Sequence, residues 1–220
     1  RSRNELANTL SEQDDTRPWP DLINHLTKTI LDLVRKGEPV KELWTGENIT
    51  PPRYLLDPLI VENYPNVIFG DPGGAKSTLA TVLTQMLTLP WTDNPLGFTT
   101  LDKSTLCLYG DWETDENTIL WQTTMLQRGM GLPALCVHYR HCALPLASDI
   151  EEIKNRIIEV GAKVLIIDSL GLASGGELNK TESPLAFFAA LRQLNVTSLI
   201  LAHNSKDQET KKRSILGSQL

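Results

Sequence analysis

Short apolar runs alternate along this chain with stretches whose apolar residues recur every three or four positions. That alternation predicts strands interleaved with helices. Val67-Ile68-Phe69 reads as a strand. It leads through a Gly-rich turn into a helix over 78–87, with Leu79, Val82, Leu83 and Met86 at helical spacing. A second strand is expected over 105–109, then a helix over 115–128 stopped by Gly129 and Gly131. A third strand is expected over 135–139. Ser148 and Asp149 then cap a helix that turns Ile150, Ile153, Ile157 and Ile158 inward, and Gly161 closes it. The run Val164-Leu165-Ile166-Ile167 before Asp168 has no polar alternation, so it reads as a strand buried on both faces. After a polar loop, Ser183-Pro184 opens a helix through Leu191, and a fifth strand over 198–202 ends at His203. The expected fold is α/β: a mostly parallel sheet with helices on both faces. In such sheets ligands bind at the carboxyl ends of the strands, where Gly70, Glu113, Asp168 and His203 all fall.

The first fifty residues follow a different pattern. Residues 1–17 are polar, mixed in charge and without periodicity, and read as a disordered arm. Residues 18–49 hold a helix from Pro20-Asp21, with Leu22, Ile23, Leu26, Ile30, Leu33 and Val34 on one face and Gly37 as its stop. It reads as a helix packed on the core, with a subunit-linking helix as the alternative. Pro51-Pro52 then breaks the chain, and residues 50–220 form the main domain. Tyr54-Leu55-Leu56 and Leu59-Ile60-Val61 are short strand pieces, and Trp91 and Phe98 seal a loop over 90–100.

The 220 residues suffice for one α/β domain with extra segments. A net charge of −6 gives no global attraction to nucleic acid, so any such contact needs a local patch. Cys107, Cys136 and Cys142 form no C-x-x-C pair, which suits a reducing cytoplasm. No apolar run reaches membrane-spanning length. The first residue is Arg, and 216–220 carry no terminating signal, so the chain reads as a fragment truncated at its C-terminus.

The candidate chemistry starts at Gly70, Asp71, Pro72, Gly73, Gly74, Ala75, Lys76, Ser77 and Thr78. Between strand and helix, such a loop turns backbone N–H groups inward to cradle phosphates. Lys76 would reach the β- and γ-phosphates of a bound ATP, and the Ser77 hydroxyl would ligate Mg²⁺. Ala75 stands where G-x-x-x-x-G-K-[ST] expects glycine. Alanine suits that position if the backbone is near helical geometry and is disfavoured if φ must be positive. Asp168 can complete the Mg²⁺ shell opposite Ser77. Glu113 is the candidate general base for the attacking water, with Asp111 and Asp115 as rivals that spacing does not eliminate. His203 is placed to sense the γ-phosphate. Residues 204–220 carry Lys206, Lys211, Lys212 and Arg213 against Asp207 and Glu209, a patch for nucleic-acid phosphates or for a neighbouring subunit's ATP. The run from Cys136 to Cys142, with His138 and His141 inside it, has no usual zinc spacing.

With these residues assembled, the chain resembles the RecA-like ATPases of the AAA/RecA superfamily, in particular the RepA-like branch of hexameric plasmid and phage helicases. The resemblance covers about residues 50–220. It rests on Tyr54-Leu55-Leu56-Asp57-Pro58, the loop 70–78, Leu108-Tyr109-Gly110-Asp111-Trp112-Glu113, Leu165-Ile166-Ile167-Asp168-Ser169, Leu201-Ala202-His203-Asn204-Ser205-Lys206, and a closing Gly217-Ser218. It implies a RecA-like P-loop core in which Glu113 rather than Asp111 is the catalytic carboxylate, Asp168 the Walker B acid and His203 the switch residue. It further implies Mg²⁺-dependent ATP hydrolysis in a self-assembled ring or filament, a hexamer in that branch, driving a DNA helicase. The loops 169–183 and 204–216 would then face single-stranded DNA. An ATP-gated repair or recombination ATPase and a non-translocating regulator or loader are the alternatives. Related ATPases use G-x-A-K-S variants, so Ala75 reads as tolerated, while the acids in 204–216 weaken the DNA assignment.

Overall fold

The computed structural model describes residues 2–36, 39–42, 45, 49–175, 182–206 and 213–214. The chain divides into two compact units at Thr50–Pro51.

The first unit contains α1 (Arg3–Gln13) and α2 (Trp19–Lys36). Helix α1 occupies the segment expected to be a disordered arm. Its N-terminus is a capping box: the Ser2 hydroxyl accepts from the Glu5 amide, and the Glu5 carboxylate accepts from the Ser2 amide. S-x-x-E is a local signal that weak apolar periodicity hid. The Trp19 indole donates to the Asp14 carbonyl at 2.7 Å and fastens the corner between the helices. On α2, Leu22, Leu26, Ile30 and Leu33 are exposed. Gly37, its expected stop, lies outside the described residues.

The second unit is built on five parallel strands in the order β3-β8-β7-β5-β6. These are β3 (Pro65–Gly70), β5 (Cys107–Asp111), β6 (His138–His141), β7 (Val164–Asp168) and β8 (Thr197–His203). Helices α3 (Lys76–Thr88), α4 (Glu116–Met130), α5 (Ile150–Val160), α6 (Leu170–Ala173) and α7 (Glu182–Leu194) connect them. Two apolar clusters lie on opposite faces of the sheet. Tyr109, Val164, Ile166, Leu199 and Leu201 pack with α3 residues Leu83 and Met86. Leu108, Leu165, Ile167 and Ile200 pack with Ile153 of α5 and Phe187 of α7. Every residue of β7 is buried, as its unbroken apolar run requires. Each such Leu or Ile contributes about 1.5–3 kcal/mol. A small antiparallel sheet, β1 (Tyr54–Asp57), β2 (Ile60–Val61) and β4 (Thr99–Thr100), joins both strand pieces to the end of the loop over 90–100. Asn94 clips that loop by bonding Trp91 O and Phe98 O, and both aromatic rings pack on the core. A short pair, β9 (Ser205–Lys206) and β10 (Arg213–Ser214), follows β8.

Three expectations need correction: the bounds of β6, the Asp149 cap and the burial of Ile158. Strand β6 is His138–His141 rather than 135–139. Its polar residues suit a strand because distant groups satisfy them: Tyr139 bonds Asp111, and Arg140 pairs with Asp149 at 2.6 Å. Asp149 therefore holds Arg140 and makes no side-chain cap on α5. Ile158 is exposed, because it falls off the face that Ile150, Ile153 and Ile157 turn to the core. Among the described residues no helix is long and apolar enough to cross a membrane.

Candidate functional site

Sheet register gathers the chemistry at one edge. Gly70 pairs with His203, Asp168 with Leu201, and Asp111 with both Asp168 and His141. The carboxyl ends of β3, β8, β7 and β5 thus bring Gly70, His203, Asp168 and Asp111 side by side.

The loop from Gly70 to Lys76 is tight. Gly74 N donates to Asp71 O at 3.1 Å, and a Cβ at Gly74 would lie 2.9 Å from that oxygen, so no side chain fits. Gly73 takes φ +74°. Ala75 also takes the left-handed region, at φ 55° and ψ 28°. The near-helical backbone that would make alanine comfortable is therefore not what this position adopts. Left-handed backbone costs an L-residue roughly 1–2 kcal/mol. Ala75→Gly is expected to stabilise the protein by about 0.5–1 kcal/mol, read as a higher urea midpoint at unchanged m-value. An unchanged or lower midpoint would contradict the strain assigned to Ala75. Because alanine offers no side-chain cap, the amides opening α3 remain at a positive helix end suited to an anion.

Lys76 begins that helix and is buried. Its ammonium has three protons and three acceptors: Gly70 O at 3.2 Å, Asp71 O at 2.9 Å and His203 Nδ1 at 3.1 Å. An ammonium accepts nothing, so Nδ1 must be the unprotonated ring nitrogen. The ring proton then sits on Nε2, which lies 3.4 Å from the Glu113 carboxylate. Lys76, His203 and Glu113 form one chain from the loop to the end of β5. Asn204 adds a clasp, donating its amide to Gly70 O and its side chain to Asp71 Oδ1 at 3.3 Å.

The three acids after β5 have different surroundings. Asp111 is fully buried and accepts four bonds: Oδ1 from the Glu113 and Thr114 amides, Oδ2 from the Thr114 and Tyr139 hydroxyls. That fills its acceptor capacity. Asp115 caps α4 through the Asn117 and Thr118 amides and the Thr118 hydroxyl, and these bonds hold its carboxyl below the usual range. Glu113 is the one of the three that reaches His203. Asp168 is buried, accepts from the Tyr109 phenol at 2.7 Å, and lies near enough to Ser77 for that hydroxyl to act on its ionisation. Burial raises its pKa above the ordinary carboxylate value, opposed by the Tyr109 and Ser77 bonds and reinforced by the nearby charges of Glu113 and Asp111. Trp112 N donates to Asp168 O at 2.6 Å, tying the two strand ends together. The Asp168–Ser169 peptide is cis.

Gly70, Asp71, Pro72, Gly73, Gly74, Ala75, Lys76, Ser77 and Thr78 lie consecutively across the strand end, turn and first helical turn. Residues 176–181, 207–212 and 215–220, with them Lys211, Lys212 and the Gly217-Ser218 pair, fall outside the described residues, as does the side chain of Arg213. Among the described residues no group of three or more His, Cys, Asp or Glu side chains could hold a metal. Sequence reasoning assigned no role to Tyr109, Tyr139, Thr114 or Asn204. The one available signal was that Tyr109 and Asp111 alternate onto a single strand face.

A family model described as AAA domain matches residues 34–209. No curated protein matches the chain. Among solved structures, the chain is similar to a KaiC-like protein from the hyperthermophilic archaeon Pyrococcus horikoshii OT3. That similarity has 14% identity and a TM-score of 0.46, covering 75% of this chain and 77% of that one. The parallel sheet carries a phosphate-type loop after β3, the family model matches well over half of the residues, and the chain belongs to the AAA domain family.

Proposed function

We propose that the protein is a Mg²⁺-dependent ATPase that works as a ring or filament in the cytoplasm and drives a DNA-associated motor of the helicase type. The observation that supports the chemistry is the meeting of Lys76, Ser77, Asp168, Glu113 and His203 at one sheet edge. The loop fits a phosphate group: Gly74 lets the turn close against Asp71 O, where a Cβ would clash, and the uncapped α3 terminus offers amides. The hard donors Ser77 and Asp168 fit Mg²⁺, which commonly takes one or two protein oxygens beside substrate phosphates. When bound, Mg²⁺ neutralises charge developing on the phosphates.

Lys76 would exchange one of its present acceptors for a phosphate oxygen. Glu113, free of the structural bonds that occupy Asp111 and Asp115, would orient and deprotonate the attacking water. His203, bonded to both Lys76 and Glu113, would register the γ-phosphate and carry the signal into the segment after β8. Lys212 or Arg213 would complete a neighbouring subunit's site, and 169–183 with 204–216 would meet single-stranded DNA.

The test is steady-state ATP turnover with and without single-stranded DNA at two salt concentrations. The motor reading expects stimulation by DNA that weakens as salt rises. Turnover indifferent to DNA and responsive to a protein partner would replace it with the regulator reading.

A further inference from the structure

Tyr109, which is buried, and Tyr139, which is half-buried, repeat one geometry beneath the site. Tyr109 on β5 faces Ile166 across the ladder, and its phenol reaches Asp168, two residues farther along β7. Tyr139 on β6 faces Tyr109, and its phenol reaches Asp111, two residues farther along β5. The rings stack with centroids 6.5 Å apart and planes 24° apart. Each hydroxyl therefore ends on a carboxylate of the sheet edge, one strand over and one step up. Tyr109 is 1% exposed and its ring packs in the apolar cluster with Leu83 and Met86, a space that phenylalanine would also fill.

The consequences of the two bonds differ. Tyr109 donates to Oδ2 of Asp168 at 2.7 Å, which fixes the carboxylate rotamer and leaves Oδ1 outside this bond. Tyr139 holds Oδ2 of Asp111, whose Oδ1 binds the Glu113 and Thr114 amides and so shapes the turn that aims Glu113. We propose that Tyr109 and Tyr139 are positioning residues of separate function: Tyr109 sets the cation-binding carboxylate, and Tyr139 sets the water-activating one through Asp111. This inference rests on the ATPase reading above.

The experiment compares Tyr109→Phe and Tyr139→Phe with the unaltered chain. Mn²⁺ binding is read by electron paramagnetic resonance beside a non-hydrolysable ATP analogue, and kcat and KM for ATP are read at saturating Mg²⁺. Partners that orient a metal ligand are worth about 10–100-fold in metal affinity or activity. Tyr109→Phe is expected to weaken Mn²⁺ binding by about tenfold or more. Tyr139→Phe is expected to leave Mn²⁺ affinity and KM unchanged and to lower kcat by about tenfold. Folded variants with unaltered Mn²⁺ affinity and kcat overturn the proposal, as do equal losses in both variants. An unaltered chain that binds no Mn²⁺ with the analogue overturns the ATPase reading and this inference with it. Should Tyr109→Phe fail to fold, 3-fluorotyrosine at position 109 keeps the hydroxyl. Its fluorine resonance is expected to shift on adding Mg²⁺ with the analogue, and a silent resonance overturns the proposal.

Discussion

Glu113→Gln is expected to bind ATP with unchanged affinity and to hydrolyse it about 10²- to 10⁴-fold more slowly. Glutamine keeps the shape and can still meet His203 Nε2 through its carbonyl oxygen, so the chain from Lys76 through His203 is preserved. What it loses is the capacity to take a proton from water. Lys76→Ala should do the opposite. It removes a buried cation that spans Gly70 O, Asp71 O and His203 Nδ1, and charge-assisted phosphate bonds are about twice as strong as neutral ones. Nucleotide binding itself should then be lost. Titration with a fluorescent ATP analogue separates the cases, with phosphate release measured beside it. Full turnover in Glu113→Gln would return the role of base to another acid, although Asp111 has no acceptor capacity left and Asp115 is committed to its cap.

Asp168→Asn should raise the stability of the ligand-free protein while removing most of its activity. Asp168 is buried with the carboxylates of Asp111 and Glu113 close by, and burial raises its pKa. A carboxyl whose folded pKa is raised holds its proton more tightly when folded. Its favourable contribution is therefore present at low pH and is lost as pH rises through the folded pKa. Asparagine removes that loss and can still accept from Tyr109. The melting temperature of the variant should match the unaltered protein near pH 4 and exceed it at pH 7. Turnover should fall by about 100-fold or more, since even an outer partner of a metal ligand is worth about 10–100-fold. A variant less stable than the unaltered chain at pH 7, or one that retains turnover, would remove Asp168 from this role. Stability given up at a functional carboxylate is a common compromise.

The parts of this protein legible from its sequence are those set by near neighbours along the chain. The apolar run of β7 and the spacing of α3 announce themselves, because burial on both faces of a strand or one face of a helix imposes a local pattern. The phosphate-type loop is legible for the same reason: its glycines and Lys76 act within seven consecutive residues. The helix over residues 3–13 was equally local, written in Ser2 and Glu5, and polar composition masked it. Strand β6 was displaced by three residues at its start because its polar side chains find partners 9 and 28 residues away.

The different bonds made by Asp111, Glu113 and Asp115 belong to the tertiary structure. Three acids at alternate positions look alike in sequence, and what separates them is which bonds each has already made. Asp111 is filled partly by a tyrosine from β6, and Glu113 is met by a histidine 90 residues away. The left-handed backbone at Ala75, the tautomer of His203 and the diagonal from Tyr109 to Asp168 were decided in the same way. The sequence by itself determined the order of strands and helices, the loop and the acid that ends β7, since short-range sterics and burial suffice for them. Sheet register decided which side chains meet at the edge, because hydrogen-bond partners separated by 28 to 127 residues are chosen by how the strands align and by no spacing along the chain.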